Sequence, residues 1–199
     1  WSLFPLRIVV DNINKVTFPA YSRLQDSKQH LVTAIEKSIF FTALIIFPIL
    51  IGMVILAPAA IAIIPKYQKW QPALLALTFF AVNGMWSSIS TTITNTFAAI
   101  GKIKINFKLM VMWTTLTWIF TPLLIAKIGY NGVAIASAFV ATSSIVPMII
   151  IKKLLPIHLA KNIFPQLISS LLMGLAIYWL SASAWLPFTH LPSPGSEAT

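Results

Sequence analysis

Six stretches of this sequence, near 1–21, 38–64, 73–100, 109–127, 132–151 and 163–186, are predominantly apolar. Each is close to or longer than the roughly 20 residues with which an α-helix crosses about 30 Å of hydrocarbon. A chain so patterned has lipid as its solvent. Composition agrees, with 58% hydrophobic and 9% charged residues in 199 and a mean hydropathy of +0.86. That is more apolar surface than one water-soluble core can enclose. In hydrocarbon a backbone must satisfy its own N–H and C=O groups, so runs of this length become helices. The expected fold is all-α, a polytopic transmembrane helical bundle of about six spans. Pro48, Pro58, Pro122 and Pro147 fall inside spans. Each predicts a kink whose freed carbonyl neighbouring helices can satisfy.

Six spans place successive connectors on alternate faces, and the basic residues test that alternation. One face collects Arg23, Lys28, Lys37, Lys102, Lys104, Lys108, Lys152, Lys153 and Lys161; the other has Lys66, Lys69 and Lys127. The connectors are short enough for the positive-inside rule, which puts the first set in the cytoplasm. The formal charge of +10 is thus a topology signal rather than a sign of nucleic acid as a partner. Trp70 and Trp185 then sit at the outer interface, as amphipathic aromatics do, whereas Trp86 and Trp113 lie mid-span. Between Tyr21 and Lys37, Leu24, Leu31 and Ile35 can share one side of a helix. This segment reads either as a helix along the membrane surface or as a solvated connector. Beginning at Trp1 inside an apolar stretch, with no charged-then-apolar leader and cleavage site, the sequence reads as a fragment without a signal peptide. Residues 187–199 are polar and rich in Pro and Ser, and are expected to form a disordered tail.

Polar residues inside the spans are the candidate functional groups. Arg7, Asp11 and Lys15 recur at i, i+4 in the first span, with Asn14 beside them. Each charge facing lipid near mid-membrane costs on the order of 3 kcal/mol, so the stripe must face protein or water. Two arrangements meet that demand: a hydrated lining for an anionic substrate, or an internally neutralised ladder of ion pairs. The third span carries Asn83, Ser87, Ser90, Thr91 and Thr94 along one face, bordered by Asn95. Hydroxyl-rich faces of membrane helices serve close helix packing and interhelical hydrogen bonds; a wall contacting sugar is the sharper reading.

No catalytic constellation, Gly-rich phosphate cradle or metal-ligand spacing occurs, so neither an enzyme nor a cofactor is called for. With no cysteine there are no disulfides or thiolate sites. Asp26, His30 and Glu36 share one connector and read as a solvated polar face.

The segment PLRIVVDNINKVTFPAYSRLQDSKQHL resembles one found in bacterial oligosaccharide and polysaccharide flippases, through Asn14, Val16, Phe18, Pro19, Ala20, Ser22, Leu24, Gln25 and Asp26. Lys69, Trp70 and Pro72 are similar to that family's turn before the next span, Gly101-Lys102 to its Gly-basic turn, and Tyr130–Ala136 to its Gly-x-x-Gly-Val-Ala helix start. The pieces occur in the right order over roughly 135 residues. Ile63-Ile64-Pro65 departs from the family's usual pair before Lys-Trp, so the outer loop is expected to differ there. The family belongs to the multidrug/oligosaccharidyl-lipid/polysaccharide exporter superfamily, whose two helical lobes enclose a cavity and rock between inward and outward openings.

By this resemblance residues 1–186 are most of a C-terminal lobe, whose partners are the N-terminal lobe of the same polypeptide, membrane lipids and a lipid-linked oligosaccharide. A further span or two is expected to be missing or replaced by the polar tail. The implied function is translocation of an undecaprenyl-pyrophosphate-linked oligosaccharide across the bacterial cytoplasmic membrane, with Arg7 and Lys15 at the anionic group, Asp11 orienting them, and Asn83, Ser87, Thr91 and Asn95 on sugar. Two rivals stand beside it. A cation-coupled multidrug exporter would use Asp11, the one acid inside a span, although two basic neighbours oppose that role. A membrane glycosyltransferase or ligase would require catalytic acids or a long outer loop.

Overall fold

A computed structural model describes residues 4–63 and 65–185, with side chains at 7–63 and 68–180. The expected tail, 187–199, lies outside the described residues. The chain is all-helical: α1 (Phe4–Leu24), α2 (Lys28–Ile63), a 3-10 segment (Pro65–Ala73), α3 (Leu74–Ala99), α4 (Ile103–Ile128), α5 (Asn131–Thr142), α6 (Ile145–Leu154) and α7 (Leu159–Trp185). Among the described residues five helical stretches are long and apolar enough to cross a membrane: α2, residues 68–99, α4, the α5–α6 pair and α7. At 21 residues α1 is about 31 Å long and matches the bilayer in length. Its four charges, Arg7, Asp11, Lys15 and Arg23, keep it out of that set.

The bundle is built on α2, which packs against α1, α3 and α7, while α3 also contacts α1 and α5, and α5 covers α4. Leu31, Ile35, Ile39, Ala43, Ile46 and Leu50 form the buried stripe of α2 and meet Ile89, Ile93 and Phe97 of α3. At 36 residues α2 is about 54 Å long, well beyond the hydrocarbon thickness. Its first turns are the segment that the sequence left open between a surface helix and a connector. They are neither: Leu31 and Ile35 continue the core stripe, and Ser27 opens the helix by sharing a hydrogen bond with His30 Nδ1 at 2.7 Å.

Packing inverts the water-soluble pattern. Ser88, Thr92 and Thr96 are buried at i, i+4, i+8 on α3, with Ser38 and Thr42 buried on α2, while Trp118, Ile119 and Leu123 of α4 and Leu171, Leu172 and Leu175 of α7 are exposed. Small hydroxyl side chains let helices approach closely, and large apolar ones face lipid. Lys69 Nζ lies 5.9 Å from the centroid of the exposed Trp70 ring in the 3-10 segment between α2 and α3.

Of the four expected proline kinks, the helices run unbroken through Pro48, Pro58 and Pro122. At Pro147 the fifth span is interrupted, dividing into α5 and α6 at Ser143-Ser144. Pro147 has no N–H to offer the Ser143 carbonyl, which accepts instead from the Val146 N–H at 2.9 Å. Trp113 Nε1 reinforces the break from α4 by donating to Ser143 Oγ at 3.0 Å.

The α4–α5 corner explains its glycines. Gly129 caps α4 at φ +72°, a conformation that side chains resist. A Cβ on Gly132 would collide with the Leu124 carbonyl oxygen. Backbone contact of that closeness fixes α5 directly on α4.

Candidate functional site

On α1, Val10 and Tyr21 are buried, turning Asp11, Lys15 and Phe18 to the exposed side with Asn14 half-buried between. Helices α1 and α3 run in the same direction, so the i, i+4 pair Asp11/Lys15 meets the i, i+4 pair Thr91/Asn95. Together with Asn14 and Phe18 they line an open recess of about 480 Å³. Its lining residues stand six to thirteen residues, about 9–20 Å, from Leu24 at the end of α1 and four to eight, about 6–12 Å, from Ala99 at the end of α3. The polar stripes of the first and third spans therefore share one surface.

Arg7 is exposed one turn further out and is not among the lining residues. Among the described residues no ion pair forms between Arg7 and Asp11 or between Asp11 and Lys15; the pair that does form joins His158 Nδ1 to Glu36 Oε1 at 3.5 Å. The charges of α1 do not close on one another as a ladder, and Asp11 and Lys15 present separate groups to the recess.

The α3 stripe divides into a packing part and a recess part. Asn83 Nδ2 donates to the Ser137 carbonyl of α5 at 2.7 Å, and Ser87 Oγ donates to Asn83 Oδ1 at 2.9 Å. Thr91 Oγ1 donates to the Ser87 carbonyl at 2.7 Å while its flank reaches the recess. The Thr94 hydroxyl turns back to the Thr91 carbonyl at 3.0 Å, and the Thr94 carbonyl accepts from Asn106 Nδ2 of α4 at 2.8 Å. Asn83 and Ser87 hold α5, Thr94 and Asn106 hold α4, and Thr91 and Asn95 face the open side.

Two features escaped sequence reasoning. Phe18 lines the recess, although in sequence it counts only as part of the family motif before Pro19 and not as a site residue. Where α1, α2 and α3 pack together, Asn14 Oδ1, Thr42 Oγ1 and Ser90 Oγ are buried without a hydrogen-bond partner among the described residues, while the Tyr21 hydroxyl lies toward those of Ser38 and Thr17. The α1–α2–α3 contact thus retains unspent hydrogen-bonding capacity. The i, i+3, i+7 spacing of Asn14, Thr17 and Tyr21 carried the signal of a polar face on α1.

Glu36 does not belong to a solvated face with Asp26 and His30. Its Oε1 accepts the backbone N–H of His158 at 2.7 Å, pinning the loop before α7 to α2.

Residues 1–75 match a family model described as polysaccharide biosynthesis protein. The match covers α1 and its Asp11, Asn14, Lys15 and Phe18, and stops before Thr91 and Asn95. The chain is 32% identical over 132 residues to an uncharacterized membrane protein, MJ1068, of Methanocaldococcus jannaschii, covering 64% of this chain and 25% of that protein. It is 27% identical over 104 residues to the lipopolysaccharide biosynthesis protein WzxC of Escherichia coli K12, covering 52% of this chain and 21% of that protein. The aligned region thus spans a quarter or less of these relatives. No solved structure matches the chain. These similarities bear out the resemblance read from the short motifs, and with five apolar helices they make this a multi-pass membrane protein.

Proposed function

We propose, from the polysaccharide biosynthesis signature over residues 1–75, that this chain is one helical lobe of a flippase, residues 1–186 forming most of its C-terminal half. The full polypeptide moves an undecaprenyl-pyrophosphate-linked oligosaccharide across the cytoplasmic membrane. The observation that carries this reading is the recess in which Asp11, Asn14, Lys15 and Phe18 of α1 meet Thr91 and Asn95 of α3. Carboxylate, ammonium, amides and a hydroxyl around one aromatic ring form a set suited to a glycan, which offers many hydroxyls and apolar ring faces.

Lys15 is placed for the phosphate edge, with Asp11 offsetting its charge when the headgroup is absent. Closing a second lobe over this open surface would exclude water and strengthen each polar contact; opening to the other side would release the headgroup while its tail stays in lipid. Arg7 stands toward the outer end of α1 and would meet the anion only in a later position.

The test is leaflet exchange of a fluorescent lipid-linked oligosaccharide in proteoliposomes of the full-length polypeptide. Replacing Lys15 with Gln and Asn95 with Val removes one charged and one neutral hydrogen-bonding group, worth together roughly 2–4 kcal/mol. Exchange is expected to fall at least tenfold, with Asn83→Ala as a variant altered in packing alone. Unchanged exchange in the double variant sinks the recess as the substrate surface.

A further inference from the structure

Helices α6 and α7 follow one another in sequence but take different partners, α6 packing on α3 and α7 on α2. The loop at 155–158 that joins them is held to α2 through the Glu36–His158 hydrogen bond, and its own Leu155 and Ile157, with Leu159 just after it, are buried. A slot of about 440 Å³ is left between them, walled by residues including Met85, Trp86, Met148, Ile163 and Phe164. Lys152 is the one charged residue in its lining, at the end where Lys153 and Lys161 are also exposed. Such an apolar wall offers water almost no partners, and thioethers with aromatic rings adapt readily to a flexible chain.

We infer that this slot holds one acyl chain of an anionic phospholipid, with its phosphate on the Lys152 ammonium. Charge selects the lipid: basic pockets between membrane helices on the cytoplasmic side bind phosphate headgroups, and the positive-inside count puts Lys152 on that side. Shape suits the tail: the slot is apolar, partly open and about 440 Å³ in volume, room for a stretch of flexible acyl chain. The site is separate from the recess on α1 and α3 and does not depend on the proposed transport function.

The test uses the full-length polypeptide in nanodiscs containing phosphatidylglycerol or phosphatidylcholine with a photoreactive group in the acyl chain, followed by peptide mapping. Phosphatidylglycerol is expected to label peptides containing Met85, Met148 or Phe164. Lys152→Gln should reduce that labelling about fivefold, the equivalent of the ~1 kcal/mol carried by one lysine against an anionic headgroup, and Lys152→Arg should restore it. Ala160→Trp, at the exposed lip, should block labelling from both lipids. Equal labelling of the slot by the two lipids, or indifference to Lys152→Gln, would overturn the phosphate site. Absence of labelling in the folded full-length protein would overturn the lipid occupant and assign the slot to polypeptide.

Discussion

Asn83 and Asn95 are the same residue type on one helix, and their environments separate their roles. Asn83 spends its amide on the Ser137 carbonyl across the α3–α5 contact; Asn95 opens on the recess. Asn83→Ala is therefore expected to lower stability by about 1 kcal/mol, in line with single hydrogen bonds between membrane helices. Asn95→Ala should leave stability unchanged within about 0.5 kcal/mol. Detergent-titrated unfolding of both variants measures the difference, and equal losses would refute the division of the stripe. The i, i+4 spacing revealed that α3 has a polar face, but which part meets a neighbour depends on where α5 lies. Glu36 makes the same point, since its partner, His158, is 122 positions away and no local pattern connects them.

Helix existence and type followed from apolar run length, because lipid leaves a long apolar segment no alternative that satisfies its backbone. Helix ends were less legible. Charged and polar residues at 28–37, 103–108 and 159–162 continue helices beyond the apolar runs, since water at the interface tolerates helical backbone as well as it does a loop. Breaks were the least legible: the interruption at Ser143-Ser144 needs both Pro147 and the Trp113 contact. At the α4–α5 corner, Gly132→Ala would drive a methyl group into the Leu124 backbone, which cannot move aside as a side chain can. A loss of roughly 1–3 kcal/mol is expected, together with faster proteolysis near 129–133. Wild-type protease resistance in this variant would contradict the close approach. Glu36→Ala should free the loop at 155–158, seen as increased amide exchange at His158 with little change in the α2 core.

At the scale of the whole molecule, orientation can be tested in a cysteine-free background: these 199 residues contain no cysteine, and any elsewhere in the polypeptide is replaced by serine. With single cysteines placed in the full-length polypeptide, a membrane-impermeant maleimide applied to intact cells is expected to label Lys69→Cys and Lys127→Cys. Lys104→Cys and Lys153→Cys should react only after the membrane is opened. The reverse pattern would invert the topology, and mixed labelling would break the alternation of spans.

The sequence by itself determined that lipid is the solvent, that the chain is a helical bundle, which connectors share a face, and that its motifs resemble those of polysaccharide flippases. Those properties rest on run length, charge counts and local spacing, all of which act along the chain. Tertiary structure decided which polar groups remain available. It brought Asp11, Asn14, Lys15 and Phe18 against Thr91 and Asn95, committed Asn83 and Ser87 to helix packing, left Arg7 outside the recess lining and opened a slot between α6 and α7. The physical reason is that a helix presents every residue at a known angle, but only the neighbours it packs against decide which angles are closed.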